Sequence, residues 1–106
     1  LKINTNPNKS LITVENIGTS PIKNIIFRYA IPTRYEVNLG SLSAIFNNND
    51  KWNLIAEKID SNIIFKISFL PQSNNIPERK LNIFLEHKKF NIELSNVDSN
   101  LSLNDI

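Results

Sequence analysis

The 106-residue chain has no cysteine and no methionine, and only two glycines, one histidine and one tryptophan. Without cysteine there can be no disulfide framework and no thiolate metal site, so the fold must stand on its hydrophobic core. A chain of this length buries roughly two-thirds of its unfolded surface, which is enough for one unassisted domain. The lone histidine, His87, excludes a two-histidine metal site and leaves one candidate for a Ser-His-Asp triad, but no Gly-x-Ser-x-Gly elbow accompanies it. No apolar run approaches the ~18 residues that a membrane-spanning helix needs. Leu1 in first position, the missing methionine and the absence of a signal-peptide pattern predict a processed or excised piece of a longer chain. Charge of one sign is also lacking. Twelve Lys and Arg against ten Asp and Glu give a net +2, and the basic residues are scattered, which speaks against nucleic acid as a partner.

What the chain does have is Asn, Ile, Lys and Ser, a bias expected of an AT-rich genome, and a strong two-residue alternation. Leu1–Asn4 predicts a short first strand, closed by the turn-prone Asn6-Pro7-Asn8. Leu11–Glu15 sets Ile12 and Val14 against Thr13 and Glu15. A turn follows over Asn16–Pro21, with Gly18 free to take positive φ and Pro21 delaying the next strand. Lys23–Ile31 places Ile25, Phe27, Tyr29 and Ile31 on one face and Ile26, Arg28 and Ala30 on the other, until Pro32 ends the pairing. Arg34–Leu39 turns Tyr35, Val37 and Leu39 inward, whereas Gly40–Phe46 is ambiguous.

After the Asn47-Asn48-Asn49-Asp50 loop, Lys51–Ala56 predicts a short strand carrying Trp52 and Leu54. Asn62–Leu70 alternates most clearly, with Ile63, Phe65, Ile67 and Phe69 together. Lys80–His87 turns Leu81, Ile83 and Leu85 inward and Asn82, Phe84 and Glu86 outward; His87-Lys88-Lys89 reads as a turn into a last strand, Phe90–Leu94. No segment of ten residues carries a helical period. The expected fold is an all-β, immunoglobulin-like antiparallel sandwich of seven to eight strands over residues 1–95, with 96–106 a polar tail or linker. Phe27, Tyr29, Trp52, Phe65 and Phe69 form its expected aromatic core.

Two family resemblances bear on role. Val14-Glu15-Asn16-Ile17-Gly18-Thr19, Pro21-Ile22-Lys23-Asn24-Ile25 and Ile31-Pro32 resemble the first strands of immunoglobulin-like domains in microbial, including archaeal, cell-surface and filament proteins. That resemblance covers the first third of the chain, and Tyr29 and Ala30 stand where the family usually has an acidic residue. It implies a spacer or assembly module of an S-layer, pilus, filament or adhesin. Phe27–Pro32 with Tyr35–Leu39, Ile67–Gln72 and Lys80–Leu85 are similar to the ear domain of gamma-type clathrin adaptors. That family implies a peptide site built on several basic residues along the penultimate strand; only Lys80, with Arg79 beside it, matches, while Asn82 and Phe84 stand where further basic residues are expected.

The remaining candidates are weighed against plainer readings. His87 reads as a solvated turn residue before a catalytic one. Glu86 and Glu93 read as partners of Lys66, Lys88 or Lys89 before a glycosidase pair. Asp50, Asp60 and Asp98 are too far apart for a calcium loop. Trp52, Tyr35 and Phe84 are the aromatics to consider for a sugar-binding face, with Trp52 more naturally core and Phe84 an apolar outlier on a polar face. Asn8-Lys9-Ser10 and Asn100-Leu101-Ser102 match the glycosylation pattern. The first strand, with Leu1 and Ile3, and the tail residues Leu101, Leu103 and Ile106 are candidate donors or acceptors for strand addition.

The expectation is therefore a non-catalytic protein–protein interaction or assembly module without cofactor or metal. It is expected to meet a protein partner, or a second copy through strand edges, and neither to bind nucleic acid nor to insert into membrane. Its expected setting is extracellular or in the cell envelope. The alternatives are a cytoplasmic adaptor ear that binds short peptide motifs and a carbohydrate-binding module.

Overall fold

A computed structural model describes residues 1–46 and 50–90. These form eight strands: β1 (Lys2–Asn6), β2 (Leu11–Glu15), β3 (Ile22–Ala30), β4 (Tyr35–Phe46), β5 (Asp50–Lys51), β6 (Ile55–Ile59), β7 (Asn62–Leu70) and β8 (Lys80–Lys89). A 3-10 turn at Pro7–Lys9 joins β1 to β2, and a single helical turn, α1 (Ile76–Arg79), precedes β8. The larger sheet has the order β1-β2-β8-β4-β5 and the smaller β3-β7-β6, and every pairing is antiparallel. The expected strand beyond Phe90, the tail with Asn100, and Asn47–Asn49 lie outside the described residues.

The alternation explains why these segments pair and which way they face. In the smaller sheet Ile25, Phe27 and Tyr29 stand opposite Ile67, Phe65 and Ile63. In the larger, Ile12 and Val14 stand opposite Ile83 and Leu81. Together with Leu70, Leu85 and Ala44 these side chains form one core, lined by the half-buried Phe27, Leu39, Leu42, Phe46 and Trp52. The Phe27 and Phe65 rings stack at 5.0 Å. Burial of each large apolar side chain is worth about 1.5–3 kcal/mol, so Phe65, with no exposed surface, is its principal anchor.

Several expectations need correction. Gly40–Phe46 is not separate from Tyr35–Leu39: both belong to β4, interrupted by a bulge that shifts the pairing from Asn38 opposite Glu86 to Ser43 opposite Phe84. Ser41 holds the bulge, its Oγ donating to the Asn38 carbonyl (2.6 Å) and accepting the Glu86 N–H (2.9 Å). That irregularity breaks the two-residue period and hides the strand in sequence. Lys51–Ala56 is not one strand. β5 belongs to the larger sheet and β6 to the smaller, so Trp52–Leu54 crosses between layers while Trp52 packs on Phe46 at 5.0 Å.

His87–Lys89 is not a turn but the end of β8, paired with Val37, Glu36 and Tyr35. Phe69 stays partly exposed, and Leu70 takes the core position at the end of β7. Gly18 has no positive φ; a Cβ there would lie 3.3 Å from Asn16 Oδ1, so the residue is small because of proximity.

Candidate functional site

Two polar clasps close opposite ends of the sandwich. At the β2–β3 end, Asn16 is fully buried. Its Nδ2 donates to the carbonyls of Ser20 (2.8 Å), Leu70 (3.3 Å) and Pro71 (3.3 Å), and its Oδ1 accepts the Gly18 N–H (2.9 Å). Its backbone N–H donates to the Arg79 carbonyl (3.0 Å). One side chain thus shapes its own turn and ties it to the end of β7 in the other sheet. Beside it Arg79 donates through Nε to Glu15 (2.9 Å) and through an η-nitrogen to the Ser73 carbonyl (3.0 Å).

At the other end His87 lies half-buried between Tyr29 and Tyr35, whose rings meet it edge-on at 5.7 and 5.9 Å. His87 Nδ1 sits 2.7 Å from the Leu85 carbonyl, so it must carry the proton and donate. In the neutral imidazole Nε2 then accepts from the Tyr29 hydroxyl at 2.7 Å, a bond that links the two sheets. Burial pushes the Tyr29 hydroxyl above the ordinary tyrosine pKa, and the neighbouring Tyr35 hydroxyl adds to the shift. The His87 N–H donates to Ser10 Oγ (2.9 Å), and the Tyr35 hydroxyl donates to Asn8 Oδ1. Asn8 is exposed, whereas Ser10 is half-buried in a left-handed conformation. The partners of His87 are thus phenols, a carbonyl and a hydroxyl.

The other named residues lie at the β1 edge and on the outer face of the larger sheet. Leu1 and Ile3 are exposed at the free edge of the larger sheet, with Ile3 turned to the core side opposite Val14. Lys80, half-buried, pairs with Glu15 across β2 and β8. Phe84 is 39% exposed on the outer face, between Leu11 of β2 and Ser43 of β4. Lys80 and Phe84 thus share the outer face of β8, four residues apart, with Arg79 held on Glu15 opposite Lys80, and Trp52 is half-buried rather than standing free as a platform. Trp52 Nε1 is buried without a partner among the described residues.

One surface was not singled out by the sequence. The outer face of β3-β7-β6 carries three rows: Ile26, Lys66 and Ile55; Arg28, Ile64 and Glu57; Ala30, Asn62 and Ile59. Ile26, Ile55 and Ile59 are 64%, 65% and 50% exposed. A shallow apolar depression of about 370 Å³ lies at its first row, between Ile26, Ile55 and Lys66. A second concavity, about 550 Å³ at the β3–β4 turn, is lined by Pro32, Arg34, Glu36, Lys58, Asp60 and Phe90 among others and is mostly polar. No three metal-ligating side chains cluster among the described residues, and no described helix is long and apolar enough to cross a membrane.

The fold and these surfaces define a two-sheet antiparallel β domain with exposed apolar side chains at one edge and on both outer faces. No protein-family model matches the chain, nor does any curated protein or solved structure.

Proposed function

We propose that this chain is a non-catalytic, immunoglobulin-like module that works through protein–protein contact in a cell-surface assembly such as a filament, an S-layer-associated protein or an adhesin. The strand order supports the fold reading. The order β3-β7-β6 corresponds to strands B, E and D of an immunoglobulin sandwich, and β4, β5 and β8 to C, C′ and F, with β2 in the place of G.

The observation that carries the functional reading is the free edge of β1. Its outer row of backbone N–H and C=O groups has no strand beside it among the described residues, and Ile3 offers an apolar side chain where an added strand would extend the core. Such an edge is a template for strand addition. The adaptor-ear reading has less support, because one of its two basic residues, Arg79, is held by Glu15 and Ser73.

The test replaces Ile3 by Lys and Thr5 by Lys, placing charges on the inner side of the edge without touching β2. Loss of self-association or of binding to an added extended peptide, with thermal stability kept, is the expected result. Unchanged association by sedimentation would refute the edge as the working surface.

A further inference from the structure

The outer face of β3-β7-β6 is self-complementary, and we infer that it pairs with a second copy of this chain. The inference rests on the same reading of the chain as a contact module but uses a different surface from the β1 edge. Consider two such faces related by a two-fold axis lying between them and parallel to β7. The axis places β3 of one copy over β6 of the other and keeps each row on itself. Ile26 then meets the partner copy's Ile55, Ile64 meets its own equivalent, and Ala30 meets Ile59, each off-axis contact occurring twice.

Arg28 meets Glu57, also twice. Within one copy these two flank Ile64, two strand spacings or roughly 9.6 Å apart, and neither has an ion-pair partner among the described residues. An axis perpendicular to the strands would instead stack Arg28 on Arg28 and Glu57 on Glu57 when the isoleucine rows are matched. The charge pattern therefore selects one orientation.

Lys66 lies on the axis and faces its own copy, the single mismatch. The three rows cover on the order of 300 Å² in projection, well short of the ~800 Å² per partner of a stable interface. A small face with a like-charge pair at its centre makes a weak, reversible dimer, suited to contacts repeated along an array rather than to a permanent pair.

Sedimentation equilibrium from micromolar to millimolar chain tests this, with four variants at solvent-facing positions. Symmetry turns two attractive pairs into two repulsive ones in Arg28→Glu or Glu57→Arg, so each weakens the dimer roughly ten-fold or more. The double variant restores it, and Lys66→Gln tightens it several-fold. Wild-type chain that stays monomeric at millimolar concentration, or a double variant no better than the singles, would overturn the inference. So would weakening by Lys66→Gln, which would mean that Lys66 serves an acidic partner instead. Failure of this series leaves the β1 edge standing, because Ile3→Lys and Thr5→Lys change a different surface.

Discussion

Replacing Asn16 by Ala should be the most damaging polar substitution in the chain. The side chain is fully buried and joins four groups: the Gly18 N–H and the carbonyls of Ser20, Leu70 and Pro71. Two amide hydrogens shared among three carbonyls amount to two good bonds, and the Gly18 contact is a third. At ~1 kcal/mol each, with a further penalty for the Leu70 carbonyl left buried and unpaired, the loss is about 3–4 kcal/mol. Small domains have only about 5–15 kcal/mol in total, so the midpoint of urea unfolding should fall sharply while the slope stays constant.

Asn16→Asp separates hydrogen bonding from space filling. It keeps the volume and the Gly18 bond but sets a carboxylate against three carbonyl oxygens. It should therefore be at least as unstable as the alanine variant at neutral pH, and recover as the carboxyl is protonated. Loss of less than about 0.5 kcal/mol in Asn16→Ala, or no pH dependence in Asn16→Asp, would refute the clasp.

The other expectations concern the core and the far clasp. Phe65→Ala should cost about 3–5 kcal/mol in chemical unfolding, because the ring is fully buried and stacked on Phe27. Tyr29 holds its proton to higher pH when folded than when unfolded, so its contribution is complete below about pH 10 and is lost as pH rises through the folded pKa. Tyr29→Phe should flatten that alkaline decline in thermal melts, at the cost of the His87 bond. Glu15→Gln should cost no more than ~1 kcal/mol, since the ion pair with Arg79 is partly exposed.

Strong local alternation made much of this fold legible. Ile63, Phe65 and Ile67 could face only one way, as could Leu81, Ile83 and Leu85, and both sets are buried. What stayed hidden depended on distant partners. The β4 bulge exists because Ser41 and Asn38 answer to Glu86 on β8. His87–Lys89 looked like a turn because they are polar, yet pairing with Tyr35–Val37 keeps them in the strand. Trp52 and Leu54 alternate like a strand although the chain there is changing sheets.

The surfaces were harder to read for the same reason. Phe84 stood out as an apolar residue in a polar row, and the structure places it on the outer face. Ile26, Ile55, Ile59 and Ile64 come from three strands, and only the register of β3, β7 and β6 gathers them on one face with Arg28, Glu57 and Lys66. Asn16 reads locally as a turn former; its burial is set by Leu70 and Pro71, which lie far along the chain.

If this chain acts by contact through defined surfaces, its backbone amides should report where. A dilution series of amide-resolved NMR spectra reads both surfaces at once. Concentration-dependent shifts are expected only at Ile26–Ala30, Ile55–Ile59, Ile64 and Lys66, with a second set along Lys2–Asn6 when an extended peptide is added, and none around Asn16 or Phe65. Spectra identical at every concentration and with the added peptide would rule out contact through either surface.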